Sequence, residues 1–218
     1  MTNTTLLLGA TGETGKELLK QLAASQTITK VISVGRRLVD LPGEGFDKIE
    51  QRIVDFDNLD KHEIDFKNID KAFCCLGTTR GKAGKEGFIK VDYDYVLKSA
   101  EMLKSGECTE FHLLTSKGSN PSSWFLYPST KGKIEEAVKG LGFNKIRIYR
   151  PGLLLCDRTE NRAGEGWLRW IAGFTDKSYS WSIPTSLLAR AMLLSSENCP
   201  DGISVLEHSD IVKIAEEK

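Results

Sequence analysis

The stretch Leu6-Leu7-Leu8-Gly9-Ala10-Thr11-Gly12-Glu13-Thr14-Gly15-Lys16 constrains this chain more than any other. An apolar run that reads as a buried strand meets glycines three apart, then a segment of helical period from Lys16 to Ala24. A tight turn needs a residue without a Cβ, backbone brought close to a diphosphate needs a second, and a helix packed tightly on a strand needs a third. Gly9, Gly12 and Gly15 fill those places. The N–H groups of Thr11, Gly12, Glu13 and Thr14 then open the helix, where its dipole favours an anion. A turn of this kind after a first strand predicts a dinucleotide-binding βαβ unit.

The rest of the chain repeats that unit. Apolar runs predict strands at 4–8, 30–34, 51–55, 71–76, 110–115, 145–149 and 203–207. Between them, Lys16 to Ala24, Val91 to Lys104, Lys131 to Lys139 and Ser186 to Ser195 carry apolar residues at three- and four-residue spacings, one face each for a sheet. The alternation predicts an α/β fold, a Rossmann-type doubly wound parallel sheet, and 218 residues suit a single domain over 1–218. The segment 152–184 breaks the alternation and gathers Trp167, Trp170, Phe174, Tyr179 and Trp181. It is expected outside the sheet, either as a substrate-side wall or as a surface helix whose aromatics cap the core.

Composition narrows the function. Lys plus Arg and Asp plus Glu number 30 each, so no global field would hold a nucleic acid. Met1 is followed by polar residues and then by the first strand, so no secretion signal is expected. The longest apolar runs are far below the roughly 20 residues that cross a bilayer, so no membrane span is expected. Five cysteines, two of them adjacent at Cys74-Cys75, read as reduced thiols of a cytoplasmic protein, with the nucleus as a further location. His62, His112 and His208 are far apart and no cysteine pair has zinc spacing, so no metal site is expected.

The second predicted strand ends in Val34-Gly35-Arg36-Arg37, about twenty positions after the last turn glycine, where NAD-binding domains carry an acid for the ribose 2′-hydroxyl. Arginines stand there instead, and their planar forks suit the 2′-phosphate of NADP(H). Asp55 closes the third predicted strand, placed either to accept from the adenine amino group or to cap the strand end.

Tyr127-Pro128-Ser129-Thr130-Lys131 sets a phenol and an ammonium four residues apart, on one face of a helix. A free phenol is a poor acid or base near neutrality, and a neighbouring cation stabilises its phenolate. Ser116, at the end of the fifth predicted strand, can donate to a carbonyl oxygen. Ser116, Tyr127 and Lys131 therefore point to proton transfer coupled to hydride transfer on a small carbonyl substrate. Pro128 requires the helix to begin near Tyr127 or to kink there. Arg150-Pro151-Gly152 offers either a backbone edge for a nicotinamide carboxamide or an ordinary turn. The Gly-rich stretch Thr78 to Gly87, with Arg80, Lys82 and Lys85, is expected as a flap over the cofactor or a solvated loop. A kinase is excluded by the lack of a His-Arg-Asp loop and an Asp-Phe-Gly triplet.

Beyond these motifs, Cys74-Cys75-Leu76-Gly77-Thr78-Thr79-Arg80-Gly81-Lys82-Ala83-Gly84 with Gly87-Phe88, Asp94 to Glu101, and Arg150-Pro151-Gly152 with Leu154-Leu155-Cys156-Asp157-Arg158 form a recognisable set. Through them the chain resembles the Tat-interacting protein family within the atypical short-chain dehydrogenases, from about Leu6 to Asp210. The resemblance implies cofactor contacts at Thr11, Gly12, Glu13, Thr14, Arg36, Arg37, Leu76, Gly77, Tyr127, Lys131, Leu154 and Arg162. It also implies an alternative role, an NADPH-sensing regulator that binds nuclear transport receptors, inhibits nuclear import and bears on cell survival. Asp92 takes a place like that of the asparagine of many extended relatives, where an acid is expected to weaken the proton relay.

Overall fold

The computed structural model describes residues 3–40, 45–155 and 179–217. Strands β1 (Thr4–Leu8), β2 (Lys30–Gly35), β3 (Ile49–Ile53), β4 (Lys71–Cys74), β5 (Glu110–Leu114), β6 (Lys145–Arg150) and β9 (Gly202–Glu207) form one sheet. Their order is β3-β2-β1-β4-β5-β6-β9 and every pairing is parallel. The direction of winding reverses between β1 and β4, which opens a crevice at their carboxyl ends. The doubly wound single sheet expected from the alternation is present.

A parallel strand covered on both faces must be apolar throughout, and Leu6, Leu7 and Leu8 have no exposed surface. One face of the sheet buries Leu6, Leu8 and Cys74 against Val96, Ala100 and Leu103 of α3 (Tyr95–Ser105) and Ile134 and Val138 of α4 (Leu126–Lys139). The other buries Leu7, Phe73 and Tyr149 against α1 (Glu13–Ala24), α5 (Thr185–Glu197) and α6 (His208–Glu216).

Several boundaries differ from expectation. β3 begins and ends two residues early, which frees Asp55 to cap the 3-10 segment Phe56–Phe66: its Oδ1 accepts from Asp57 N at 3.0 Å. The fourth strand stops at Cys74, so Cys75 to Thr78 leave the sheet toward the crevice. The stretch expected as a loop at Thr78 to Gly87 is largely helix, α2 (Arg80–Ile89), bent at Gly84 with φ +71°. Phe88, buried to 1% exposure, anchors it, so packing overrides the low helix propensity of three glycines. Pro128 causes no kink: α4 starts at Leu126, which places the proline in the first turn, where a missing N–H costs nothing.

After β6 the chain leaves the main sheet as expected. β7 (Leu153–Leu155) pairs in parallel with β8 (Ser182–Pro184) in a separate two-stranded sheet. Arg162, Trp167, Trp170 and Phe174 lie outside the described residues. No described helix is long and apolar enough to cross a membrane.

Candidate active site

The crevice begins at the first turn. Gly9 has φ +85°, and a Cβ there would meet the Cys75 carbonyl carbon and oxygen at 2.6 Å. At Gly15 a Cβ would lie 2.1 Å from Gly9 O, so this glycine lets α1 pack on the strand end. Gly12 N donates to Gly9 O at 3.0 Å and closes the turn. No side chain caps α1, so its first N–H groups are presented without a competing acceptor from the cap residue.

Gly9, Thr11, Gly12, Arg36, Arg37, Leu76 and Gly77 line one cleft of about 260 Å³. Thr78 and Lys82, from the stretch expected either as a flap over the cofactor or as a solvated loop, line it too, as do Ser33, Val34, Phe56 and Val91. The cradle fits a dinucleotide: glycines admit the diphosphate, the uncapped helix start faces it, and two arginines stand at the far end of the same cleft. Glu13, Thr14 and Gly15 shape the helix start without lining the cleft, Thr14 being buried. Asp55 does not line it either. Its Oδ2 accepts from Asn58 Nδ2 at 2.7 Å, so its carboxylate is engaged in the cap, one of the two roles its position left open.

Behind Gly77 lies Lys131, one of the three residues expected to carry the reaction. Lys131 Nζ sits 2.8 Å from Asp92 Oδ1, and Asp92 Oδ2 accepts from Thr78 N at 2.7 Å. A Cβ on Gly77 would stand 3.3 Å from Asp92 Oδ1 and 3.8 Å from Lys131 Nζ, which brings the ammonium to the cofactor wall. Burial pulls the Lys131 ammonium toward deprotonation, but the Asp92 carboxylate, followed by Tyr127, outweighs it and holds Lys131 above the usual lysine range. Burial also pushes the neighbouring thiols up, Cys74 to about 12 and Cys75 further, so both remain protonated.

Tyr127 is half-exposed and its ring stacks on Phe88, centroids 5.6 Å apart. Ser116 Oγ is buried and has no hydrogen-bond partner among the described residues. Its loop is tied down on both sides, Lys117 N donating to Pro151 O at 2.8 Å and Ser119 Oγ to Ser116 O at 2.8 Å. An orphaned hydroxyl on a fixed loop is a donor waiting for an acceptor.

The backbone edge after Pro151 is already engaged. Gly152 N donates to His208 Nδ1 at 2.9 Å and Leu153 N to Trp181 O at 2.9 Å, so these two groups serve the turn and not a nicotinamide carboxamide. Leu154 sits in β7 opposite Ile183 and packs against the core.

Far from this site, Glu110, His112 and Cys199 bring one ligand atom each within 4.8 Å of one another. Both ring nitrogens of His112 are engaged, Nε2 with Glu110 Oε1 at 2.6 Å and Nδ1 with the Tyr149 hydroxyl at 2.8 Å. Lys71 and Lys145 approach the same carboxylate at 3.6 and 3.8 Å, and the guanidinium of Arg147 is buried on the adjoining strand. A divalent cation would join two lysine ammoniums facing one carboxylate, so Glu110 and His112 read as a hydrogen-bonded anchor of the sheet.

No protein-family model matches the chain. Among curated proteins it is similar to Protein HTATIP2 of Rattus norvegicus, 42% identical over 214 residues that cover 97% of this chain and 88% of the rat protein. It is also similar to Protein fmp52, mitochondrial, of Aspergillus fumigatus, 31% identical over 97% of this chain and 98% of the relative. Protein FMP52, mitochondrial, of Candida glabrata is 38% identical over 75% of this chain and 69% of its own length. The fungal names overturn the cytoplasmic and nuclear location expected from the cysteines: reduced thiols report a reducing environment without saying which one.

Among solved structures, MoeE5 in complex with UDP-glucose and NAD superposes with a TM-score of 0.71 at 15% identity, over 94% of this chain and 75% of that one. The oxidoreductase ylbE from Lactococcus lactis superposes with a TM-score of 0.68 at 16% identity, over 98% and 97%. At such identities these likenesses bear on the fold.

Proposed function

This chain belongs to the Tat-interacting protein family, and from that premise we propose that it is an NADP(H)-dependent oxidoreductase that reduces a small carbonyl compound. The observation that carries the reading is the continuity of one cleft, from Arg36 and Arg37, past the Gly9 to Gly12 turn, to the wall of Gly77 with Lys131 behind it.

The α1 start and its glycines receive the diphosphate, and Arg36 and Arg37 take the 2′-phosphate with their forked donors. NADPH bound there supplies the hydride. Ser116 Oγ donates to the substrate's carbonyl oxygen and polarises it. Tyr127 gives its phenolic proton to that oxygen as the alcohol forms, and the Lys131 ammonium stabilises the phenolate left behind. The half-exposed phenol recovers its proton from water.

Calorimetry with NADPH and NADH, on the wild type and on Arg36→Ala with Arg37→Ala, tests the cofactor. NADPH affinity is expected to drop at least tenfold more than NADH affinity, and equal losses would overturn the assignment. NADPH oxidation over an aldehyde, ketone and quinone panel tests the chemistry, with turnover expected in the wild type and abolished in Tyr127→Phe.

A second reading, a cofactor-sensing regulator that binds nuclear transport receptors, is favoured by Trp124 and Phe125. These aromatics stand fully and largely exposed just before Tyr127. It predicts NADPH-dependent receptor binding that Trp124→Ala with Phe125→Ala removes.

A further inference from the structure

A buried ammonium persists only beside a compensating anion. Lys131 Nζ is such a group, its side chain 7% exposed. The titratable groups that face it among the described residues are Asp92 from the π-helical turn Lys90–Asp94, Tyr127 from its own helix, and Cys74 and Cys75 from the end of β4. The thiols are held protonated by burial, so Asp92, itself 1% exposed, is the carboxylate among them.

The two oxygens of Asp92 serve two elements. Oδ1 holds Lys131 at 2.8 Å, and Oδ2 holds the backbone of Thr78, in the cofactor wall, at 2.7 Å. We propose that Asp92 is the positioning residue of the Tyr127 and Lys131 centre, keeping Lys131 in place as an ammonium and fastening the Leu76 to Thr78 wall to it. This rests on the reductase reading for its catalytic meaning. It also reverses the expectation that an acid here weakens the centre: the carboxylate holds in place the charge that burial would remove.

The two duties separate by substitution. Asparagine can still accept from Thr78 N but carries no charge, whereas alanine does neither. In the full chain labelled with [ε-13C]lysine, the Lys131 resonance, assigned by its loss in Lys131→Arg, reports protonation without any need for turnover. In Asp92→Asn the Lys131 titration midpoint is expected to fall by more than about one pH unit, because desolvation then acts with little opposition. NADPH affinity by calorimetry is expected to stay within about threefold of wild type, since the wall keeps its acceptor. In Asp92→Ala the midpoint falls as well and NADPH affinity weakens about tenfold or more, the effect of a part-buried N–H in the cofactor wall left unpaired. Asp92→Ser, also uncharged, supplies the same comparison should the asparagine variant not fold.

An unchanged Lys131 midpoint in Asp92→Asn, or wild-type NADPH affinity in Asp92→Ala, would overturn the proposal. Turnover that survives Tyr127→Phe would instead sink the reductase reading and leave the Lys131 titration standing.

Discussion

Arg150 Nε donates to Glu135 Oε1 at 3.1 Å, joining the end of β6 to the middle of α4. Thr115, beside Ser116, donates to the same oxygen at 2.6 Å. Glu135 has no exposed surface, and through these donors the helix that bears Tyr127 and Lys131 is fixed to the strand end that bears Ser116. Arg150→Ala strands a buried carboxylate and is expected to destabilise the fold by about 3 kcal/mol or more. Glu207→Ala removes the half-exposed partner of the same arginine, at 2.9 Å, together with its side-chain cap on the start of α6, and should cost about 1 to 2 kcal/mol, less than Arg150→Ala. Urea unfolding of both variants checks the contrast, and equal losses would contradict it.

The turn glycines separate folding from binding. A Cβ on Gly12 meets nothing closer than Gly9 O at 3.4 Å, ordinary contact, yet Gly12 lines the cleft where a diphosphate must come close. Gly12→Ala is expected to leave the melting temperature within a few degrees of wild type and to weaken NADPH binding at least tenfold. Gly9→Ala, with a positive φ and a 2.6 Å clash, should lose stability as well. Melting curves with and without NADPH read both outcomes.

The buried His112 makes the fold acid-sensitive. Burial, the largest influence, lowers its affinity for a proton, and Glu110 only partly offsets this, so the folded value lies below the ordinary 6.5. The unfolded chain therefore takes the proton first as pH falls. The contribution of a neutral His112 is complete above about pH 6.5 and declines as pH drops from there through the folded value. Urea midpoints should decrease between about pH 7.5 and 5.5 in the wild type. His112→Gln should be less stable throughout, with a flatter slope over that interval, and an unaltered slope would assign the acid sensitivity elsewhere.

The stack of Phe88 on Tyr127 links α2 to the reaction centre. Phe88→Leu preserves most of the apolar burial and removes the aromatic face that steadies the phenol. Turnover in the NADPH oxidation assay is expected to fall about tenfold, while the urea midpoint changes far less than for Phe88→Ala. A variant with wild-type turnover would show that the stack is only packing.

Much of this was legible along the chain because it is local. The apolar run Leu6 to Leu8, the glycines after it and the four-residue spacing of Tyr127 and Lys131 declare themselves within a few positions. β3 was less legible: it is an edge strand whose Ile53 faces solvent, so its hydrophobic pattern did not mark its ends. α2 was hidden by Gly81, Gly84 and Gly87, since its stability comes from docking Phe88. α6 was not expected from the sequence, and the reciprocal cap between Glu207 and Asp210 that opens it is the local signal that could have found it. The Asp92 to Lys131 pair arises from segments that only the finished fold brings together, and no spacing rule reaches across such a distance in sequence.

The small parallel sheet of β7 and β8 sets residue 153 beside residue 182, so two positions far apart along the chain share one place on the domain. With its ends pinned, closing a longer or shorter span costs little, because the entropy of closure grows only slowly with length. A change in the number of residues between 153 and 182 is therefore expected to disturb the seven-stranded sheet little.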